Sequence, residues 1–249
     1  MRDRTGRGLD RQRAPVAPLG VGVNREVDCV LALYQMSVTP ADGPSVLGNS
    51  RIEVRWIMPG PLPGPVIEWF ERFPVTTESR QDSYLVSPPL PGLSVKIRGN
   101  LALEVKEFSG SRGILDVAGV VQGRLQAWRK WSFPFSTASP YAEDSLSWQR
   151  VRKQRRLSAF LLDDAQFVTS FPVPSDRLSC TMELSEVLVA DTLWWTFALE
   201  SIGPDARLQE AIEVTAARFL GSGAPEQMAL SVEASGPYSD WLENTEAHR

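Results

Sequence analysis

Histidine is nearly missing from this chain: the 249 residues hold one, His248. A Ser-His-Asp or Cys-His catalytic arrangement needs a positioned imidazole, and many zinc centres need several, so both classes are set aside. Cysteine is scarce too, with only Cys29 and Cys180. Two thiols cannot form a disulfide framework, and such scarcity fits a reducing compartment. No apolar run approaches the roughly 20 residues that a membrane-crossing helix needs. The first residues are basic (Arg2, Arg4, Arg7) but lack the apolar stretch of a secretory signal. A cytoplasmic protein with no membrane partner is expected. An excess of basic charge is also absent, since 26 Lys plus Arg face 30 Asp plus Glu, for a formal charge of -4. A general nucleic-acid binder is usually clearly basic, so nucleic acid is not an expected partner. Neither G-x-x-x-x-G-K-[ST] nor G-x-G-x-x-G occurs, which removes P-loop and dinucleotide readings.

What remains is an ordinary globular composition, 43% apolar and 22% charged, long enough for one large domain or two small ones. Residues 1–20 are rich in Arg, Pro and Gly, 27–35 suit a short strand or helix, and 37–50 return to turn composition, so 1–50 reads as a largely disordered extension. Met36 lies within this stretch, so a translation start at Met36 and a genuine flexible extension stand as equal readings. Residues 51–249 read as a single domain. Its pattern begins with RIEVRWIM (51–58), charges alternating with apolar residues at the period of a strand. PVIEWFERF (65–73) reads as a short helix, with Val66, Trp69, Phe70 and Phe73 on one face. Candidate strands follow at 82–86, 93–99, 101–108, 123–133, 148–162, 166–171, 179–190 and 192–202. Gly99-Asn100 between two alternating runs is a hairpin signal. The segment 206–220 is the strongest helix, with Gly221 as its C-cap. Many short strands with few helices predict an α+β domain built on a largely antiparallel sheet or barrel.

The charges fall in a pattern. Residues two apart on a strand share a face. Arg51, Glu53 and Arg55 therefore share one, as do Lys96 and Arg98, Glu104 and Lys106, and Lys153 and Arg155. Arg129 and Lys130 are adjacent, so only one of the two can join them. The opposite faces are apolar: Ile52, Val54 and Trp56; Val95 and Ile97; Leu103 and Val105. On a single strand such alternation marks a solvated face. On a sheet that closes, one face becomes the lumen. A charged lumen would hold eight cations against Glu53, Glu104, Glu183 and Glu200. Enclosing unpaired like charges costs on the order of several kcal/mol per ion. Such an interior calls for an anionic ligand or abundant water, and Arg and Lys are the phosphate-binding side chains.

The order of these elements resembles the CYTH superfamily, the triphosphate tunnel metalloenzymes, over residues 51–245. IEVRW resembles the family's opening strand, where E-x-E-x-K is expected. RQDSYLV (80–86) resembles its R-x-D-x-Y-L step, and LSVKIRG followed by LALEVKEF its paired basic and acidic strands. WRKW (128–131) and VRKQRR (151–156) resemble later basic strands, CTMELSEV (180–187) and WWTFALESIG (194–203) the acidic ones, and SDWLE (239–243) a closing helix. The resemblance implies an eight-stranded antiparallel barrel with flanking helices, whose charged tunnel binds a triphosphate with Mg or Mn. Carried onto this chain, Arg55, Lys96, Arg98, Lys106, Arg129, Lys153 and Arg155 would grip phosphate, Arg129 standing for the pair in which alternation admits one. Glu53, Glu183 and Glu200 would hold the metal. Three acids of the family pattern are replaced, by Arg51, Ser185 and Ala198, all where metal binding is expected. The expectation is therefore a protein that holds a phosphorylated small molecule or polyphosphate, with weak or absent hydrolysis. A Mg- or Mn-dependent triphosphate hydrolase and a non-catalytic structural or interaction scaffold are the alternatives.

Other features have plainer readings. Cys180 alternates with Met182 and Leu184, which suits a thiol packed under a helix. Asp163-Asp164 reads as a loop. Most of the eight tryptophans read as core.

Overall fold

The computed structural model describes residues 48–86, 89–135, 148–168, 171, 173–174, 176–221 and 223–246, all within one compact unit, Leu47–Arg249. The expected extension, except for its last three residues, and the start at Met36 lie outside the described residues. The elements are β1 (Asn49–Pro59), α1 (Gly64–Phe70), β2 (Thr76–Leu85), β3 (Leu93–Arg98), β4 (Ala102–Val117), β5 (Val121–Pro134), β6 (Trp148–Leu161), β7 (Gln166–Val168), β8 (Ser179–Val189) and β9 (Thr192–Ile202). A 3₁₀ turn (Asp205–Arg207), α2 (Leu208–Leu220) and α3 (Tyr238–Glu246) complete them. No helix among the described residues is long and apolar enough to cross a membrane.

All pairings are antiparallel, in the order β2-β3-β4-β5-β1-β9-β8-β6. β6 then pairs back onto β2, from Thr76 opposite Leu157 to Leu85 opposite Trp148, and closes a ring of eight. β7 pairs with β6 at Ala159–Leu161. Because β8 holds the other edge of β6 there, β7 continues the β2 edge beyond the point where β2 ends. The barrel is the fold that the resemblance implies, and it settles the open choice between sheet and barrel.

The apolar alternate residues point outward and are covered. Ile52, Val54 and Trp56 of β1 pack in one buried cluster with Cys180, Met182 and Leu184 of β8 and Phe197 and Leu199 of β9. Val66, Trp69 and Phe70 of α1, and Leu208, Ala211, Ile212, Ala216 and Leu220 of α2, form its other side. Each large side chain buried this way contributes about 1.5–3 kcal/mol. The main core thus lies outside the barrel wall, between the sheet and the helices, while a second buried cluster joins Ile57, Val151, Val187 and Val189, on the lumen-facing alternation, to Tyr238 and Leu242. At Gly123 a Cβ would lie 2.5 Å from the Trp56 ring, so the outward indole requires glycine on the neighbouring strand.

The elements match the sequence expectations with informative differences. The β3–β4 hairpin turns through Gly99 and Asn100, both at positive φ (51° and 57°), as the Gly-Asn signal predicts. β2 begins at Thr76, well before residue 82, because its early residues are polar on both faces and show no apolar alternation. β4 runs on to Val117, past residue 108, through two irregularities that keep it paired with β5. α2 is preceded by the 3₁₀ turn, and Gly221 caps it with a helical φ of -64° rather than a left-handed one.

The C-terminal stretch fills a seam. β1 pairs with β5 only as far as Glu53 opposite Gln126. Beyond that, the Ile57 N–H donates to the Ala234 carbonyl and the Gly236 N–H to the Arg55 carbonyl, at 2.9 and 3.0 Å. From β5, the Arg124 N–H donates to Ser235 Oγ at 2.9 Å. This stretch delivers Pro237 and Tyr238 to the lumen.

Candidate functional site

The inward faces of the eight strands enclose a cavity of about 420 Å³. Three alternating residues of β1, Arg51, Glu53 and Arg55, line it, as do Lys96 and Arg98 of β3, Glu104 and Lys106 of β4, and Lys153 and Arg155 of β6. Glu183 of β8 and Glu200 of β9 face them. Of the adjacent pair, Lys130 lines the cavity while Arg129 is exposed on the outside. That corrects the choice of Arg129: Trp128 and Lys130 share the inward face, and alternation turns Arg129 away.

β2 adds Glu78, which sequence reasoning missed, and Arg80, Asp82 and Tyr84, which it matched to R-x-D-x-Y-L without assigning them to the site. Glu78, Arg80 and Tyr84 line the cavity, and Asp82, fully buried, lies behind the lysines. Their two-residue spacing was the available signal, hidden because the intervening Thr77, Ser79, Gln81 and Ser83 are polar too. Tyr238 enters from α3, where no strand period could announce it.

The lining therefore carries nine cations and, with Asp82, six acids. Each cation lies within 3.5 Å of an acid. Asp82 gathers Arg80 at 2.9 Å, Lys96 at 3.2 Å and Lys153 at 3.4 Å. Glu104 gathers Lys96, Arg98 and Lys130. Glu53 Oε2 accepts from Lys106 Nζ at 2.6 Å, and Glu200 meets both Lys106 and Arg51. Arg155 joins Glu78 to Glu183. The Nε atoms of Arg51 and Arg155 are buried without a hydrogen-bond acceptor.

Ionisation follows this geometry. Burial alone would raise the Asp82 pKa, but Lys96, Lys153 and Arg80 overcome it and hold the carboxyl well below the usual carboxylate range. Glu104 is held low against burial by Lys96, Lys130 and Arg98. Two lysines go the other way. Burial drives the Lys130 ammonium down to about 8, against the pull of Glu200 and Glu104. Burial also lowers Lys153, despite Tyr84 and Asp82. Lys153 sits 3.9 Å from the Tyr238 ring centroid and donates to the Tyr84 hydroxyl at 2.8 Å. Outside the barrel, burial pushes the Cys180 thiol up to about 12, in keeping with a core residue. Asp163 and Asp164 sit in a turn and pair with Arg207 and Arg177.

Glu53, Glu183 and Glu200 line one cavity, and cations engage each of them. Both oxygens of Glu53 accept from cations, Oε1 from Arg55 Nε at 2.8 Å and Oε2 from Lys106. Glu183 Oε2 accepts from Arg155 at 2.6 Å, and its Oε1 accepts from Ser185 Oγ at 3.0 Å and Arg55 Nη1 at 3.4 Å. Among the described residues no group of three or more His, Cys, Asp or Glu is placed to hold a metal ion. A hard dication needs several free oxygen ligands, and both oxygens of Glu53 and of Glu183 already accept from guanidinium, ammonium or hydroxyl groups.

No family model and no curated protein matches the chain. Solved structures similar to it include the PH1819 protein from Pyrococcus horikoshii OT3, at 15% identity and a TM-score of 0.40, over 79% of this chain and 99% of that one. They also include the S. pombe Pct1 RNA triphosphatase, at 12% identity and a TM-score of 0.37, over 83% of this chain and 91% of that one. The same enzyme in complex with the Spt5 CTD gives 12% and 0.36, over 82% and 91%. At such scores no functional argument passes from these proteins to this one. The closed eight-stranded antiparallel barrel is nonetheless the architecture that the resemblance to triphosphate tunnel proteins implies.

Proposed function

We propose that the protein binds a phosphorylated polyanion, inorganic triphosphate, polyphosphate or an organic phosphate, in the barrel lumen, with weak or absent hydrolysis. The observation that carries this reading is the enclosed surplus of cations: nine against six acids around one cavity. Burying ions costs several kcal/mol each unless they are paired, and this lining pairs them with three positive charges left over. A polyanion offers that missing charge. Lys96, Arg98, Lys106, Lys153 and Arg155, with Arg55 and Lys130, would grip its oxygens, the guanidinium forks suiting phosphate in particular. Burial lowers Lys130 and Lys153, and an anion beside them would restore their protons. The engagement of Glu53 and Glu183 by cations supports weak or absent metal-dependent hydrolysis. A cytoplasmic site of action belongs to the same proposal, in keeping with the scarcity of cysteine. Nucleic acid is not part of it.

One observation favours a second reading, the structural scaffold: every lumen cation already has an acidic partner. Calorimetric titration of inorganic triphosphate into the full chain separates the readings. Heat that ends with each injection is expected and means binding without turnover. Sustained heat flow with Mg or Mn, proportional to protein and matched by phosphate release, would establish the hydrolase. No heat at two temperatures, with triphosphate and with polyphosphate, would favour the scaffold.

A further inference from the structure

Arg55 is the most enclosed guanidinium of the lumen, only 7% exposed. Its Nε lies 2.8 Å from Glu53 Oε1 and its Nη1 3.4 Å from Glu183 Oε1. One cation thus spans carboxylates on β1 and β8, strands separated in the ring by β9. Its ζ carbon lies 4.7 Å from the Tyr238 ring centroid, so an aromatic face covers the guanidinium where α3 meets the lumen. The outer oxygens of the two acids are taken by Lys106 and Arg155.

We infer that the Arg55 guanidinium, by bridging Glu53 and Glu183, keeps both carboxylates from a divalent cation, so that this lumen takes its phosphoanion free of metal. The inference rests on the polyanion reading for its ligand, and on the Glu53–Arg55–Glu183 bridge alone for its metal arm. A dication could reach these carboxylates only by expelling Arg55, and it would then sit beside Lys106 and Arg155, two further positive charges. Arginine keeps its charge at every accessible pH, so the block is permanent. The consequence has a sign. Mg chelates free triphosphate and lowers its charge. A site that uses metal binds the ligand more tightly when Mg is added. A site that excludes the metal binds it more weakly.

The test uses the full chain and two probes. The first is Mn²⁺ alone, followed by electron paramagnetic resonance. The wild type is expected to bind none, and Arg55→Gln to gain one site where Glu53 and Glu183 are released. The second is inorganic triphosphate titrated in EDTA and again in excess Mg. The wild type is expected to bind about tenfold more weakly in Mg, the loss of about one charge-assisted contact. Tight Mn²⁺ binding by the wild type, or tightening by Mg, would overturn the inference. Should triphosphate bind in neither buffer, the polyanion reading fails while the Mn²⁺ comparison still decides the role of Arg55. Should Arg55→Gln fail to fold, Arg55→Lys retains the charge and is expected to stay free of Mn²⁺, and the two wild-type measurements decide alone.

Discussion

The barrel wall divides into two contiguous halves with different charge. β6, β2, β3 and β4 bring six cations to the lumen (Lys153, Arg155, Arg80, Lys96, Arg98, Lys106) against three acids (Glu78, Asp82, Glu104). β5, β1, β9 and β8 bring three of each: Lys130, Arg51 and Arg55 against Glu53, Glu200 and Glu183. What lies behind them differs in the same sense. The main buried cluster under α1 and α2 draws on β1, β5, β8 and β9, and among its buried members only Leu115 and Val117 come from the other wall. A lining with a thick apolar layer behind it has little solvent to screen it, so uncompensated charge is expensive there and acids match cations. The other wall includes β2, whose outer face is Thr77, Ser79, Gln81 and Ser83, and it carries the surplus. The ligand's place follows: an anion should sit against the β6–β2–β3–β4 wall.

The largest effect expected from breaking this contrast is on stability. Asp82 is the fully buried hub of the cationic wall. Asp82→Asn strands Arg80, Lys96 and Lys153 together and should cost about 3–5 kcal/mol, as breaking a buried ion network does. Denaturant titration checks this. Glu200→Gln, on the balanced wall and 28% exposed in its side chain, should cost about 1 kcal/mol or less. Equal costs would mean that solvent reaching the Glu200 side chain does nothing to soften its loss. Triphosphate should partly restore Asp82→Asn by supplying the lost negative charge. The pH dependence has a definite sign. The folded Asp82 pKa lies below its unfolded value of about 3.9. Its contribution is therefore present in full above that value and is lost as pH falls towards the folded one, so the gap between wild type and Asp82→Asn should narrow in acid.

Affinity comes next. Lys96 and Arg98 are two apart on β3 and share Glu104. Their joint replacement by Gln should weaken triphosphate binding by about 100-fold or more, at about 1.5–3 kcal/mol per charge-assisted contact. The same charge removed from the balanced wall, Arg51→Gln with Lys130→Gln, should weaken it by about tenfold, since screening across a wet lumen blunts a distant charge. Calorimetry on the two double variants makes the comparison. Matched losses would mean that the anion spans the lumen instead of lying on one wall.

Much of this was legible in the residues, for one physical reason. A strand with an apolar outer face advertises its other face every second position, so Arg51-Glu53-Arg55, Lys96-Arg98, Glu104-Lys106 and Lys153-Arg155 marked one charged face, which the resemblance to a barrel made a lumen. The start of β2 escaped because both of its faces are polar: Glu78 went unread, and Arg80 and Asp82 were matched to a motif but not placed in the lumen. The pairing of the acids was beyond the sequence for a different reason. Whether Glu183 coordinates or pairs depends on cross-strand register, and Arg55 reaches it over 128 positions of chain. Tyr238 likewise depends on a seam between β1 and β5 that only the closed barrel creates.

The smallest effect concerns two neighbours that alternation sends to opposite sides of the wall. Lys130 faces Glu104, Glu200, Lys96 and Lys106, and its ammonium titrates near 8, below the usual lysine value. As pH rises from 7 to 9 it loses its charge in the folded protein, and triphosphate affinity should fall with it, by about three- to tenfold for one cation on the balanced wall. The ligand's own ionisation and that of Lys153 change over the same range, so the quantity to read is the difference between the wild type and Lys130→Arg, whose guanidinium stays charged. That difference should grow above pH 8. Arg129→Gln removes an exposed charge from the outer surface and should leave both the affinity and its pH profile within about twofold of wild type, because a screened charge on the far side of the sheet contributes little. If Arg129→Gln were instead the variant that weakened binding, β5 would have to run one residue out of its register with β1 and β4, turning Lys130 outward and leaving Glu104 without its third cation.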